Sequence, residues 1–362
     1  MSDGADTIPF GRLVEWGWTA ELGESLEPDA SHPPARVIAQ HRGEYRLVTP
    51  WGEATGVAPG RMLYWASGGR ELPAVGDFVL IEPQANGPAT IVEILPRSTQ
   101  FVRRKSGTES QEQVVAANVD VAFLVTSLNQ ELNPRRIERY LVAAWESGAQ
   151  PVVVLTKLDQ CDDVEAALAR VDPAAAGAPV VAVSAVTGEG IDRLRSHLRP
   201  GGTVVLLGSS GVGKSTLVNT LAGEELLRTQ EIREADDKGR HTTTHREIFR
   251  MPDGVLVLDT PGMRELGLVE ADDGLEETFD DVAAIIDDCR FRDCAHAEEP
   301  GCAVRQAIQS GALSAERWDS YRKLQKELAY EERRRDLGAT LAEKQQWKQI
   351  HRDYRKYYKK NR

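Results

Sequence analysis

Eight residues, Gly208 to Ser215 (GSSGVGKS), constrain this chain more than any other stretch. They match G-x-x-x-x-G-K-[ST], a loop whose backbone amides wrap a phosphate. Such a loop works only between a strand and a helix N-terminus, where amides and helix dipole converge on one anion. That context is present: TVVLL (203–207) reads as a buried strand, and STLVNTLAG as an apolar helical pattern closed by Gly223. Gly208, Gly211 and Gly213 let the backbone approach the phosphates, and Ser209, Ser210, Val212 and Thr216 complete the binding stretch. Lys214 is placed to reach the β and γ oxygens and the Ser215 hydroxyl to bind Mg²⁺.

Around this loop the chain reads as α/β. DVAFLVTSL (120–128) is an apolar strand, Pro134 to Ser147 an amphipathic helix stopped by Gly148, and PVVVLTKLD (151–159) a second strand with a polar tip. A helix near 162–170, the strand PVVAVSA (179–185) and a helix near 190–198 then lead into the phosphate-loop strand. Strands and helices alternating in this way predict a parallel sheet covered on both faces, with ligands at the strands' C-terminal ends.

Upstream the pattern differs. Five short alternating stretches, ARVIAQ, EYRLVTP, GEATGVA, GDFVLIEP and ATIVEILP, separated by turn signals, predict a small barrel of OB type over 35–105. The basic cluster Arg97, Arg103, Arg104 and Lys105 follows it, which leaves two readings open, an oligonucleotide-binding face or a spacer and protein-docking module. Residues 1–34 mix acids, prolines and a few aromatics and read as a mobile arm of no legible role.

The nucleotide base is chosen elsewhere. Thr156-Lys157-Leu158-Asp159 matches the guanine-reading [NT]-K-x-D element at a strand end. The two acceptors of Asp159 suit guanine's N1–H and exocyclic amine, whereas adenine offers neither arrangement. The Lys157 stem covers the base plane, and Ser184-Ala185 closes the next strand with an amide for the guanine oxygen. Downstream, Asp259-Thr260-Pro261-Gly262 closes VLVLD as a D-x-x-G element, with Asp259 near Mg²⁺ and the Gly262 amide at the γ-phosphate. Between them KGRHTTT (238–244) offers the switch threonine; Thr243 is favoured, with Thr242 and Thr244 open.

The order of these parts is unusual. An ordinary small GTPase runs from the phosphate loop to the base-reading elements; here the base-reading elements come first. The chain therefore reads as a circular permutation, cut elsewhere and rejoined near 198–203. Met263 stands where Ras-like enzymes carry a water-orienting glutamine, so slow unaided turnover is expected, with His241 or His245 as the candidate substitute.

Three of only four cysteines cluster. Cys289-x4-Cys294-x-His296-x5-Cys302 is a Cys₃His set, the closed ligand shell of a structural zinc. Disulfide pairing is the alternative; the guanine motifs argue for a reducing compartment, where disulfides are rare. No apolar run approaches the ~18 residues of a membrane helix, and the start MSDGAD does not resemble a signal peptide, so a cytoplasmic protein is expected. The net charge of −12 is unevenly spread, since residues 315–362 carry 15 Lys and Arg against 8 Asp and Glu. This tail reads as one or two helices ending in YRKYYKKNR, suited either to RNA contact or to simple solvation.

The whole pattern resembles the circularly permuted GTPases of the ribosome small-subunit-dependent GTPase A family (RsgA, also called YjeQ). The resemblance covers roughly 35–330 and rests on TKLD, GSSGVGKST, KGRHTTT, DTPG and the Cys₃His set, in that order. It implies a permuted GTPase domain over 106–270, a zinc-binding and helical domain over 271–362, and GTP, GDP and Mg²⁺ as ligands. It further implies a monomer that binds the 30S subunit and its 16S rRNA, hydrolyses GTP when stimulated by it, and acts late in subunit maturation. In that family a switch histidine is proposed to help the attacking water. An RNA-binding assembly protein with a slow or non-hydrolytic GTP site is the alternative. Two features limit what the resemblance carries over, the strongly acidic body and the extra N-terminal arm, for which the family pattern gives no role.

Overall fold

The computed structural model describes residues 11–24, 26, 32–41, 43–65, 69–104, 112–129, 132–227, 246–259, 271–330 and 332–333. Lys105, the switch stretch with His241, Thr242, Thr243, Thr244 and His245, the pair Gly262 and Met263, and the terminal YRKYYKKNR lie outside these residues.

Five short strands form the expected barrel: β1 (Pro34–His41), β2 (Glu44–Thr49), β3 (Gly52–Val57), β4 (Phe78–Glu82) and β5 (Ala89–Ile94). Their order is β1-β2-β3-β5-β4, and pairing of β4 back onto β1 closes the ring, which leaves the barrel no free edge. Alternation sets the interior: Ala35, Val37, Leu47, Val79, Ile81 and Ile91 fill it. Residues of opposite parity on the same strands, Ile38, Val48, Phe78 and Leu80, point outward yet are buried, because they join the core of the neighbouring sheet.

That sheet follows the hairpin of β6 (Gln100–Arg104) and β7 (Glu112–Ala117), which pairs with itself. Its strands are β8 (Val121–Ser127), β9 (Gln150–Thr156), β10 (Val180–Ala182), β11 (Thr203–Leu207), β12 (Arg246–Arg250) and β13 (Leu256–Asp259). The order is β10-β9-β8-β11-β13-β12, parallel except for β12, which runs antiparallel to β13 and also pairs with β1 of the barrel. β8 shows why both faces need cover: Ala122 and Leu124 enter one core cluster while Val121, Phe123 and Val125 enter another. The helices Pro134–Ser147 and Val164–Ala175 cover the first face, and Ile191–Arg195 and Lys214–Ala222 the second. Gly148 ends the first of these helices in the left-handed conformation at φ 81° that glycine adopts at low cost.

The arm expected over 1–34 is not free where it is described. Leu13 and Trp18 are buried, Trp18 stands edge-on to Phe78 at 5.3 Å, and the Trp16 carbonyl accepts from Arg36. Arg36 is only 1% exposed and reaches Thr203 Oγ1 at 2.8 Å and the Asn118 carbonyl at 3.3 Å. One guanidinium thus ties together the N-terminal segment, the barrel and the starts of β8 and β11. Burial pushes its pKa down to about 10, opposed by the carboxylates of Asp120 and Asp77, so it stays charged near neutrality.

The C-terminal helices Asp272–Thr278, Asp280–Asp287, Ala303–Ser310 and 315–330 form a further core cluster around Phe279, Trp318, Leu324 and Leu328, which Val142 of the helix Pro134–Ser147 joins. Trp318, Leu324 and Leu328 hold the helical spacing read from the sequence. This module docks on the helix Pro134–Ser147 through a buried ion pair, Arg317 Nη1 to Glu138 Oε1 at 2.9 Å, with side chains 7% and 4% exposed. Arg317 also donates to the Thr278 carbonyl and to Asp281, and lies 4.2 Å from the Phe279 ring centre. Ser320 donates to the other Glu138 oxygen. Glu138→Ala would leave Arg317 with Asp281 as its one carboxylate and the Ser320 hydroxyl without its acceptor, so a loss of about 1–3 kcal/mol is expected in urea unfolding of the full chain.

Candidate nucleotide site and metal centre

The phosphate loop leaves β11 at Gly208, where backbones crowd. An added Cβ at Gly208 would sit 2.3 Å from the Val125 carbonyl of β8, and φ is 153°, so no other residue fits without displacement. Lys214 folds its ammonium over the loop, donating to the carbonyls of Gly208 at 2.8 Å and Ser209 at 2.6 Å. Ser215 and Thr216 follow in the first turn of the helix Lys214–Ala222, with Ser210 and Gly211 exposed at the loop's outer rim. At the end of adjacent β13, Asp259 is half-buried. Ser215, at the start of the helix, and Asp259, at the end of β13, offer a hydroxyl and a carboxylate, oxygen donors of the kind Mg²⁺ takes.

The residues with the base-reading pattern come from the end of β9, on the far side of β8 from the loop. Parallel pairing of β8 with both β9 and β11 brings the end of β9 beside the loop. There Thr156 Oγ1 donates to the Val212 carbonyl at 2.6 Å. This bond joins residues far apart in sequence and places Thr156-Lys157-Leu158-Asp159 against Gly213. Lys157 is held at φ 59°, a left-handed conformation that costs a non-glycine residue about 1 kcal/mol or more and clusters at functional sites. The turn aims the Asp159 carboxylate at β10: Ser184 Oγ donates to Asp159 Oδ1 at 2.7 Å while accepting from the amides of Val186 and Thr187. Ser184 is fully buried and the Leu158 amide donates to the Val183 carbonyl, so Asp159 and the Ser184-Ala185 loop form one unit. Cys161, just beyond, packs half-buried against the core.

One residue at the site carries no sequence signal. Arg136, in the first turn of the helix Pro134–Ser147, donates to Ser209 Oγ of the phosphate loop at 2.8 Å. In PRRIERY it reads as one of several solvated arginines, and only the closure of β8 against β11 sets it beside the loop. His241, Thr243 and Gly262 lie outside the described residues.

Away from this site, Cys289, Cys294, His296 and Cys302 bring their ligand atoms within 4.8 Å of one another. His296 Nδ1 lies 3.5 Å from Cys289 Sγ and 3.6 Å from Cys302 Sγ. Those separations equal the edge of about 3.6 Å that a tetrahedron with metal–sulfur bonds near 2.3 Å and metal–nitrogen bonds near 2.0–2.1 Å requires. The thiols also oppose one another as acids. Burial raises the Cys289 thiol, but the amides of Val304 and Ala303 and the neighbouring thiols outweigh it and leave it below its usual range. Cys294 is pushed up to about 11, by burial first and then by the other two thiols. A bound cation relieves that conflict, and burial also lowers the His296 pKa, which favours the neutral ligand form. Trp318 stands edge-on to the His296 ring at 5.2 Å and closes the cluster from the helix 315–330.

Known proteins share this arrangement. A family model described as RsgA GTPase matches residues 94–269. A small ribosomal subunit biogenesis GTPase RsgA from Opitutus terrae is 47% identical over 355 residues, covering 95% of this chain and 97% of that protein. Among solved structures, YjeQ from Thermotoga maritima superposes with a TM-score of 0.60 at 27% identity, over 82% of this chain and 99% of that one. YloQ, described as a circularly permuted GTPase, gives a TM-score of 0.55 at 25% identity over 84% of this chain and 97% of that one.

Thr156→Val removes the donor to the Val212 carbonyl and leaves a buried acceptor unmatched. Urea unfolding should record a loss of about 1–3 kcal/mol.

Proposed function

The chain belongs to the RsgA GTPase family, and from that premise we propose that it hydrolyses GTP on the small ribosomal subunit, late in subunit maturation, and leaves when GTP has become GDP. The observation that carries the nucleotide part is the bond from Thr156 to the Val212 carbonyl, which sets the guanine-reading tetrapeptide against the phosphate loop. In this reading Asp159, oriented by Ser184, selects guanine through its two coplanar acceptors, with the Lys157 stem over the base plane and the Ala185 turn at the guanine oxygen. The loop from Gly208 to Ser215 binds the phosphates, and Lys214 exchanges its carbonyl partners for the β and γ oxygens. Ser215, Asp259 and Thr243 would hold Mg²⁺, which would neutralise charge developing on the phosphates. The Gly262 amide meets the γ-phosphate and His241 orients the water.

The cation of the C-terminal cluster is zinc in this reading, held by Cys289, Cys294, His296 and Cys302 as a closed structural site. RNA is the partner surface. Trp51 and Tyr64 project from the barrel with 61% and 81% exposure, flat side chains of the kind on which bases stack. Among the described residues no helix is long and apolar enough to cross a membrane.

GTP turnover measured with and without purified small subunits tests the central claim: stimulation supports it, and unchanged turnover favours an RNA-binding assembly protein with a nearly silent site. Asp159→Asn should move nucleotide preference from GTP toward XTP in competition binding. Cys294→Ser should abolish the single zinc found by elemental analysis of the wild type and lower the melting temperature.

A further inference from the structure

The helix Pro134–Ser147 touches both the phosphate loop and the C-terminal module, and the residues that do so are neighbours. Arg136 donates to Ser209 Oγ at 2.8 Å. Glu138 accepts from Arg317 and Ser320. Arg139 grips Glu327 with both terminal nitrogens, each bond 2.6 Å. Farther along, the Gly274 amide donates to Glu146 Oε2 at 3.2 Å. Arg136, Glu138, Arg139 and Glu146 all sit on one helix that packs through Ile137, Tyr140, Leu141 and Ala144 onto the sheet.

Ser209 is where ligand and helix meet. Its carbonyl accepts from Lys214 Nζ at 2.6 Å while its hydroxyl accepts from Arg136. A phosphate group competes with that carbonyl for the ammonium, so binding at the loop changes the partners of the same residue that Arg136 holds. Bidentate guanidinium pairing with Glu327 transmits direction as well as attraction, because two parallel bonds resist rotation.

We propose that Arg136 is a positioning residue of the phosphate loop, and that through it the helix Pro134–Ser147 passes the loop's nucleotide state to the helix 315–330 by way of Glu138 and Arg139. This route leaves the loop by its upstream neighbour and is separate from the D-x-x-G segment that leads into the same module along the chain. The proposal rests on guanine nucleotide binding at the loop, and titration of each sample with a fluorescent GDP reports that binding on its own.

Hydrogen exchange of the full chain, saturated with GDP or with the β,γ-imido analogue of GTP, reads the relay in the amides of 315–330. In the wild type the two nucleotides should give rates differing by about fivefold or more, the lower end of ordinary allosteric coupling. Arg136→Gln should collapse that difference while exchange elsewhere in the module is retained. Glu327→Arg should also collapse it, and the exchanged pair Arg139→Glu with Glu327→Arg should restore it, a rescue that a purely structural contact would not give. Equal rates in a wild type that binds both nucleotides, or a difference that survives Arg136→Gln, would overturn the proposal. If Arg136→Gln does not fold, the exchanged pair decides: no loss in the single variant, or no return in the double, overturns it equally.

Discussion

The structure depends on one piece of sheet geometry, the placement of β11 between β8 and β13. β8 and β9 precede the phosphate loop in the chain by many residues, yet parallel pairing puts the C-terminal ends of all these strands on one edge. A single hydroxyl-to-carbonyl bond, Thr156 to Val212, then fixes the two motif groups against each other. Because a nucleotide site in an open parallel sheet is made by strand ends and not by chain order, it survives the permutation. The link that joins the old ends, 198–203, lies at the opposite end of β11, remote from the phosphates.

Three bodies are held in register, the barrel, the sheet and the C-terminal module, and buried charge sits at the seams beside strand pairing and apolar contact. Arg36 ties the barrel and N-terminal segment to the sheet, and the pair of Arg317 with Glu138 ties the C-terminal module to it. Apolar residues at these seams would give comparable or greater stability, because desolvating an ion pair offsets most of its attraction. What directional donors add is orientation: the two terminal nitrogens of Arg36 find partners only when the Trp16 and Asn118 carbonyls and the Thr203 hydroxyl converge on them. In the C-terminal module the ring stack of Trp318 on Tyr321 and the Cys₃His cluster beside it add to an apolar core shared with the helix Pro134–Ser147.

The placement of the phosphate-loop stretch and of Thr156-Lys157-Leu158-Asp159 at strand ends, the Cys₃His set, the barrel strands and the alternating helices could all be read from the residues. Each is a local pattern whose meaning comes from spacing along a strand, a turn or a helix face. The N-terminal segment could not. Leu13, Trp16 and Trp18 are too sparse to show a period, and the surface that buries them, around Phe78 and Arg36, is assembled by other elements. Arg136 and the buried Glu138 were equally silent, since a charged residue in a helix reads as solvated until a partner far along the chain is placed opposite it. Sequence alone thus determined which chemistry this protein can carry, because binding motifs are short and their geometry is local. Only the tertiary structure decided how the barrel, sheet and C-terminal module face one another, because that depends on pairings between distant residues whose energies arise only once the sheet has formed.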